Sequence, residues 1–279
     1  MINLDKERFS KIKIVMCDVD GTLLTDNGTV SIKTVEAIKK LREKGILFGV
    51  CTGRDLPAVK NSLGLWGVEG LIDIVVGTGG SEICDFTKDF EEGVFPLEGA
   101  LIKEVISHFE DMDINFVVPH DGILHVPKDD RHIRLLAEKD GVPYKVVDFN
   151  EFLKEPRQKV MLMMEPETMD AVVERASTFS SDKYKSASLK TASVLYEYMD
   201  PRISKTYGLK KILELHGLTF ENLCTFGDAD NDYDMTENSG IGVVMANGSE
   251  KTKSVADFIT DDNNNDGIAK FLEKYIIIN

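Results

Sequence analysis

Short hydrophobic runs that end in small or acidic residues occur near both ends of the chain. Lys13–Cys17 leads into Asp18–Gly21, and Ile46–Cys51 leads into Thr52–Arg54, while Leu223–Gly227 is followed by further acidic residues. Continuous apolar runs of this length are typical of buried parallel strands, whose polar loops lie at their carboxyl ends. The pattern therefore predicts a parallel sheet with several polar loops at one edge.

A helical pattern lies between the first two predicted strands. Apolar residues recur at Ile32, Val35, Ile38 and Leu41, which share one face of a helix. Ser31 is a suitable N-cap residue just before this stretch, and a glycine at position 45 suits its C-terminal end. Strand, helix and strand at this spacing predict a βαβ unit.

The middle of the chain has a different pattern. Residues 85–96 (DFTKDFEEGVFP) are charged and turn-like, which predicts a linker. Beyond it we predict strands at Asn115–Val118, Ile123–Val126, Val160–Met164 and Val194–Met199, and helices at Leu97–Phe109 and Pro166–Phe179. The predicted architecture is an α/β core with a parallel, Rossmann-like sheet (residues 1–85 and 200–279), interrupted by an α+β domain with an antiparallel sheet (residues 86–199).

Composition narrows the classes of partner. The chain has 279 residues, of which 42% are hydrophobic and 29% charged, with a formal net charge of −15. This charge disfavours binding to nucleic acid or to anionic membranes. The sequence has neither a signal peptide nor an apolar stretch of about 18 residues, and its four cysteines form no C-x-x-C pair. We expect buried, reduced thiols and a cytoplasmic protein.

The polar loops after the strands carry the candidate chemistry. The carboxyl ends of parallel strands converge on one crevice, so Asp18, Asp20, Thr52, Asp228 and Asp232 are expected to meet there. Several carboxylates in one crevice repel each other and raise each other's pKa. Mg²⁺ relieves this repulsion and prefers oxygen ligands, and the sequence has no His/Cys set with zinc spacing. The pattern predicts a Mg²⁺ site.

Such a site is suited to phosphoryl transfer. A carboxylate such as Asp18 can attack phosphorus, and a second one two residues along, Asp20, can protonate the leaving oxygen. A threonine hydroxyl (Thr52) and a lysine cation (Lys205) can bind phosphate oxygens. Glycines in these loops allow close approach of the backbone.

The four fragments DVDGTL, CTGR, Lys205 and GDADND resemble the four motifs of the haloacid dehalogenase superfamily. The closing run MANGSEKTKSVADFIT…NNNDGIAKFLEKY is similar to the Cof-type subfamily of sugar-phosphate phosphatases, which has a type IIB cap. The resemblance covers residues 1–85 and 200–279, and the middle of the chain fits the α/β cap of that subfamily by position and length.

The resemblance implies a role for each motif residue. Asp18 would be the nucleophile and Asp20 the acid/base. Mg²⁺ would be held by the carboxylates of Asp18 and Asp228 and by the main-chain carbonyl of Asp20. Asp232 would hold Lys205 or a metal-bound water. The predicted substrate-binding residues are Gly21, Thr52, Gly53, Arg54, Lys205 and Asn231.

Three features stay open in the sequence. Arg54 could instead cap a helix or pair at the surface. The family often has Asn-Gly-Ala where this chain has Thr78-Gly79-Gly80, so this stretch is either a plain turn or a substrate-side contact. His120 and His125 flank a predicted hairpin, either at the surface or facing the substrate.

The predicted function is hydrolysis of a small phosphorylated metabolite. Sugar phosphates fit best by resemblance, while flavin or pyridoxal phosphates are further candidates. A phosphotransferase or mutase would use the same aspartyl-phosphate, and a sensor would bind the metabolite without turnover. A signalling receiver also groups acidic residues, threonine and lysine around Mg²⁺, but it lacks a second aspartate two residues after the acceptor and has no inserted domain. The sequence gives no oligomeric state.

Overall fold

The structure, a computed structural model, describes residues 7–277. It divides into two compact units. The first contains the chain up to Gly53, then Lys60–Glu92, and the chain from Ser204 onward. The second contains Arg54–Val59 and Gly93–Ile203. Each unit has its own sheet and its own hydrophobic core.

The first unit is built on an eight-stranded sheet with the order β14-β13-β12-β1-β2-β3-β4-β5. In chain order its strands are β1 (Ile14–Cys17), β2 (Leu47–Cys51), β3 (Ile74–Gly77), β4 (Glu82–Asp85), β5 (Phe90–Gly93), β12 (Leu223–Gly227), β13 (Ile241–Met245) and β14 (Phe258–Thr260). The strands from β14 to β3 in this order pair in parallel, whereas β4 runs antiparallel to β3.

The register of the central strands brings their carboxyl ends to one level. Cys17 at the end of β1 is paired with Phe226 of β12 on one side and with Val50 of β2 on the other. β1 is therefore the switch point of the sheet, because the chain continues to β2 on one side and returns to β12 on the other. Ligand sites of open α/β sheets lie at this point.

The helices of the first unit are α1 (Ile32–Glu43), the part of α2 (Leu56–Trp66) from Lys60 onward, α7 (Lys205–His216), α8 (Tyr233–Asn238), α9 (Glu250–Lys253) and α10 (Gly267–Leu272). The hydroxyl of Ser31 accepts the Thr34 N–H at 3.1 Å, as an N-cap should. Helix α7 packs its apolar face, including Leu209 and Ile212, against β1 and β3.

The second unit has a six-stranded sheet with the order β10-β11-β9-β6-β7-β8. Its strands are β6 (Asn115–His120), β7 (Ile123–Val126), β8 (Tyr144–Val146), β9 (Lys159–Met163), β10 (Ala187–Ala192) and β11 (Leu195–Met199). Its helices are α3 (Gly99–His108), α4 (Arg131–Asp140), α5 (Phe149–Phe152) and α6 (Met169–Ser177). Helices α3 and α6 pack on one sheet face, where Val160, Leu162 and Tyr198 point into the core.

The predicted fold class is confirmed, with three corrections to its details. The predicted linker at residues 85–96 instead contains β5, which extends the core sheet. Strand β8 pairs in parallel with β7, so the second sheet is not purely antiparallel. Elements β4, α8 and α9 of the first unit and α4, α5, β8 and β10 of the second were not predicted. The domain boundaries at residues 85/86 and 199/200 stay a prediction beside the observed division of the two units.

Two expectations from composition concern the thiols and the membrane. The four cysteines are buried and free. Between residues 7 and 277, no helix has both the length and the apolar character that a bilayer crossing requires. The prediction that there is no signal peptide concerns the start of the chain, and residues 1–6 lie outside the described residues.

Candidate active site

Two loops at the carboxyl ends of β1 and β12 carry the acidic residues. The loop after β1 (Asp18–Leu24) is called here the nucleophile loop, after the role predicted for Asp18. It contains two successive π-type hydrogen bonds, from the Leu23 N–H to the Asp18 carbonyl at 3.2 Å and from the Leu24 N–H to the Val19 carbonyl at 3.0 Å. Gly21 has φ +85°, and a Cβ placed there would lie 2.6 Å from Asp228 Oδ2. Only glycine fits this conformation and this close approach. Asp228 opens the second loop, the acidic loop (Asp228–Asp232).

A buried lysine links the two loops. Lys205 Nζ lies 2.5 Å from Asp18 Oδ1 and 2.6 Å from Asp232 Oδ1. Lys205 is the first residue of α7, whose start is capped by the Ser204 hydroxyl accepting the Tyr207 N–H at 3.1 Å. Lys205, Asp18 and Asp232 are 4%, 7% and 0% exposed, so their charges have little contact with bulk water.

Both oxygens of the Asp232 carboxylate accept hydrogen bonds from nitrogen donors. Its Oδ1 accepts from Lys205, and its Oδ2 accepts the N–H groups of Asp228 and Ala229 at 2.9 and 3.0 Å. Both oxygens therefore fix the lysine and the turn of the acidic loop. This arrangement suits the supporting role that the sequence predicts for Asp232 better than direct metal ligation.

Three carboxylates are close enough to share a cation. Ligand oxygens of Asp18, Asp228 and Asp232 all lie within 4.8 Å of one another. The Thr22 hydroxyl donates to Asp228 Oδ1 at 2.6 Å and orients that carboxylate. Both oxygens of Asp232 already accept from nitrogen donors, which leaves the carboxylates of Asp18 and Asp228 as candidate ligands. Such an all-oxygen set fits Mg²⁺ better than a soft metal.

The acidic groups carry more negative charge than the lysine offsets. Burial raises the pKa of Asp18 well above its usual range, and the neighbouring Asp232 and Asp228 act in the same direction, against Lys205. Burial also raises the pKa of Asp228 to about 6, although the hydrogen bond from Thr22 lowers it. Burial alone would lower the pKa of Lys205, but the two aspartates that it contacts more than offset this and raise it.

Main-chain contacts fix Thr52, at the end of β2, against β3 and the turn that follows β3. Thr52 is 1% exposed; its N–H donates to the Val76 carbonyl at 2.8 Å, and its carbonyl accepts the Gly79 N–H at 2.9 Å. Thr78 has φ +46°, and its hydroxyl donates to Glu82. Because the Gly79 N–H is used by Thr52, the Thr78–Gly80 stretch is a turn that supports the Thr52 loop.

The remaining predicted residues have different surroundings. The Asp20 side chain is exposed within the nucleophile loop, and Gly53 is half-buried after Thr52. Asn231 Oδ1 is a buried polar atom with no partner among the described residues, which suits a group that binds a ligand. Arg54 belongs to the second unit, where its guanidinium donates to the Asp140 carbonyl at 2.7 Å. The catalytic and binding roles of all these residues stay predictions.

Comparison with known proteins now identifies the family. The family model described as haloacid dehalogenase-like hydrolase matches residues 15–272. The chain belongs to this family. The match spans both acidic loops and Lys205, so the predicted membership is confirmed.

Relatives of this hydrolase include named phosphatases. It is 28% identical over 273 residues to the 5-amino-6-(5-phospho-D-ribitylamino)uracil phosphatase YitU of Bacillus subtilis, covering 95% of this chain and 98% of the relative. It is 24% identical over 266 residues to the phosphoglycolate phosphatase of Methanopyrus kandleri, covering 94% and 97% of the two chains. Together with the family match, these relatives identify the hydrolase as a phosphatase.

Solved structures confirm the fold of the hydrolase. A haloacid dehalogenase-like hydrolase from Bacteroides thetaiotaomicron superposes with a TM-score of 0.83 at 21% identity, covering 94% of this chain and 99% of that one. The sugar phosphatase BT4131, of subclass IIB, superposes with a TM-score of 0.80 at 21% identity, covering 95% and 99%.

Sequence reasoning missed several residues around the site of this hydrolase. Thr22 lies inside the first motif, yet its contact with Asp228 joins residues 206 positions apart. Gly80 lies in the Thr78–Gly80 stretch, which the sequence left open as a turn or a substrate-side contact. A Cβ at this position would lie 2.0 Å from the Ser204 carbonyl oxygen, so its absence lets the turn approach the start of α7. The motif DVDGTL was the available signal for Thr22, whereas no sequence signal pointed to this role of Gly80.

Proposed function

We propose that this phosphatase is Mg²⁺-dependent and hydrolyses phosphate monoesters of small hydroxylated metabolites, sugar phosphates foremost, through an aspartyl-phosphate on Asp18. The observation that carries the proposal is the buried contact of Lys205 with Asp18 and Asp232, beside the Asp228 carboxylate. A nucleophilic carboxylate, a phosphate-binding cation and an oxygen-rich metal site thus lie together.

The donor set supports Mg²⁺ as the cofactor. The carboxylates of Asp18 and Asp228 and the main-chain carbonyl of Asp20 would hold the ion. When bound, Mg²⁺ neutralises charge on the phosphoryl oxygens and on the crowded carboxylates. Burial is the main cause of the raised pKa values of Asp18 and Asp228, and the neighbouring carboxylates add to it; a divalent cation would offset both effects.

In the proposed first step, an Asp18 carboxylate oxygen attacks phosphorus and the bond from phosphorus to the substrate oxygen breaks. Asp20 donates its proton to that oxygen, which leaves as an alcohol. Lys205 and Thr52 stabilise the negative charge on the transferring phosphoryl group, and the amide of Asn231 is a further contact. In the second step Asp20 takes a proton from water, which attacks phosphorus. The acyl-phosphate bond breaks, releasing phosphate and regenerating Asp18.

The relatives support the proposed class of substrate. The Bacillus subtilis enzyme is named for a phosphorylated ribityl compound, and the subclass IIB structure is named a sugar phosphatase. Both substrates are small and carry several hydroxyl groups. The buried free cysteines support a reducing compartment, and we propose that the protein is cytoplasmic.

Trapping the covalent intermediate tests this proposal. The purified protein is mixed with a ³²P-labelled sugar phosphate and Mg²⁺, and the reaction is quenched in acid. We expect label on the protein that hydroxylamine removes, as it does from acyl phosphates, and none in Asp18→Asn. Asp234→Asn is the matched control, because Asp234 is exposed on α8.

The reaction products distinguish hydrolysis from phosphotransfer. Release of one phosphate per substrate consumed supports hydrolysis. Transfer of the label to an added sugar without phosphate release would support the phosphotransferase alternative. Turnover without labelled protein would overturn the aspartyl-phosphate.

A further inference from the structure

The segment after β13 forms hydrogen bonds with the main chain of the acidic loop. We name this segment, which runs from Ala246 to Thr252 in the first turn of α9, the brace loop. Its Ser249 N–H donates to the Asp228 carbonyl at 2.7 Å. The hydroxyl of Thr252, which is fully buried, donates to the Ala229 carbonyl at 2.8 Å. The brace loop therefore has a fixed position relative to the Asp228 carboxylate.

The same loop reaches the nucleophile loop through one asparagine. Asn247 Nδ2 donates to the Gly21 carbonyl at 2.8 Å. Asn263, from the turn before α10, donates through its Nδ2 to the Leu24 carbonyl at 2.8 Å. The main-chain N–H of Asn263 also lies 3.4 Å from Asn247 Oδ1. Two linked asparagines thus hold two carbonyls of the nucleophile loop.

Both carbonyls lie shortly after Asp20, whose direction matters for proton transfer, in the loop that carries it. Asp20 is exposed, so the position of its backbone largely determines where its carboxylate can reach. Gly21, the next residue, has φ +85° and lies against Asp228. A bond that fixes the Gly21 carbonyl restrains the most flexible residue of the loop, and with it the backbone that carries Asp20.

We propose that Asn247 and Asn263 are positioning residues that orient Asp20 toward the leaving oxygen. This inference rests on the proposed function, in which Asp20 is the acid. Asn247 is itself exposed and bonds to a main-chain oxygen, so the fold does not depend on it for core packing. Its loss should affect the proton-transfer step far more than folding.

The test compares two leaving groups. Glucose 6-phosphate leaves as an alkoxide that needs a proton, whereas p-nitrophenyl phosphate leaves as a stable phenolate that needs none. We expect Asn247→Ala to lower kcat/KM about tenfold or more for the sugar phosphate, because small misplacements of a catalytic group are costly. For the nitrophenyl ester we expect a loss of less than about threefold. Asn263→Ala should show the same bias.

Two controls distinguish positioning from general damage. Asn265→Ala changes an asparagine of the same turn whose amide bonds to Asp262, at 2.9 and 3.0 Å, and it should alter neither rate. Added to Asp20→Asn, Asn247→Ala should lower sugar-phosphate turnover by less than about twofold further, because the acid is already absent.

The outcomes are distinct. An equal loss on both esters, or no loss on either, would overturn the positioning role while leaving the phosphatase proposal intact. If the unaltered protein hydrolyses neither ester, the proposed function fails and this inference fails with it.

Discussion

Each unit buries lysine and carboxylate side chains, but the balance of charge differs. In the second unit, Lys159 Nζ lies 2.9 Å from Glu197 Oε2, and these residues are 1% and 5% exposed. In the first unit, Lys205 is surrounded by Asp18 and Asp232, with Asp228 close by. The pair itself joins one charge of each sign, and Lys159 also acts on the nearby carboxyl group of Asp55. The other cluster sets three carboxylates around one lysine and has excess negative charge.

The positions of these charges differ as well. Lys159 and Glu197 lie on neighbouring strands within a sheet, β9 and β11. The acidic cluster lies in loops at the carboxyl ends of strands. A lysine and a glutamate in contact within a sheet offset each other's charge, but a cluster with excess carboxylates in a crevice favours a cation or a proton. Charge imbalance, rather than burial alone, marks the catalytic unit.

The largest expected effect is the loss of activity in Asp18→Asn. The change removes the nucleophile and should lower kcat by about 10⁴-fold or more. The same change relieves charge repulsion at nearly constant volume, so the melting temperature should stay equal or rise. Steady-state kinetics and thermal unfolding measure the two effects. Retained activity would exclude Asp18 as the nucleophile.

The balanced pair should respond in the opposite way. Lys159→Met leaves the Glu197 carboxylate buried and unpaired by that lysine, which should lower the free energy of unfolding by about 3–5 kcal/mol. Urea unfolding measures this loss. The double variant Lys159→Met/Glu197→Leu should recover most of it. Unchanged stability in the single variant would refute the structural role of the pair.

Mg²⁺ should stabilise the protein more at pH 7.5 than at pH 5. The pKa of Asp228 is raised to about 6 in the folded chain, above its value in the unfolded chain. Without metal, the folded state holds the extra proton, so this contribution to stability is present at low pH and is lost as pH rises through about 6. The metal needs the deprotonated form, and its binding restores stability at higher pH.

Thermal unfolding with excess Mg²⁺ or EDTA at both pH values measures this linkage. Asp228→Asn is the control and should show little response to Mg²⁺ at either pH. An equal or larger Mg²⁺ effect at pH 5 would contradict the assignment of Asp228 as a ligand. Activity that persists in excess chelator would exclude the cofactor.

The smallest predicted effect concerns Thr22. Thr22→Val keeps the shape of the side chain but removes its hydrogen bond to Asp228, which lowers the pKa of that carboxyl group. The pKa of Asp228 should therefore rise, and the acid limb of the pH profile of kcat/KM should move up by about one unit. Thr25→Val, which removes a bond to the Thr29 carbonyl, is the matched control and should leave the profile unchanged. An unshifted profile in Thr22→Val would contradict the coupling.

The parallel core could be predicted from the sequence because its strands are buried on both faces. The runs before Asp18, Thr52 and Asp228 are continuously apolar, and each ends in a polar loop. Strand β5 was missed because its residues, Phe90–Gly93, are charged and largely exposed at the sheet edge. Strand β10 was missed because Ala187–Ala192 is mainly half-buried and small or polar, so it forms no apolar run.

The motif residues of the site were predicted, but the contacts that hold them were not. Lys205 contacts Asp18 across 187 positions, and its neighbours in the chain carry no sign of this partner. The bond from Asn247 to the Gly21 carbonyl spans 226 positions. Side-chain contacts with a distant backbone leave no local periodicity, so the structure was needed to find them.

The most direct test is the position of a metal ion in crystals of the protein grown with Mn²⁺, which occupies oxygen sites suited to Mg²⁺. We predict an anomalous-scattering peak about 2.2 Å from carboxylate oxygens of both Asp18 and Asp228. Crystals that bind Mn²⁺ elsewhere, or that leave these two carboxylates without an ion at saturating Mn²⁺, would contradict the account.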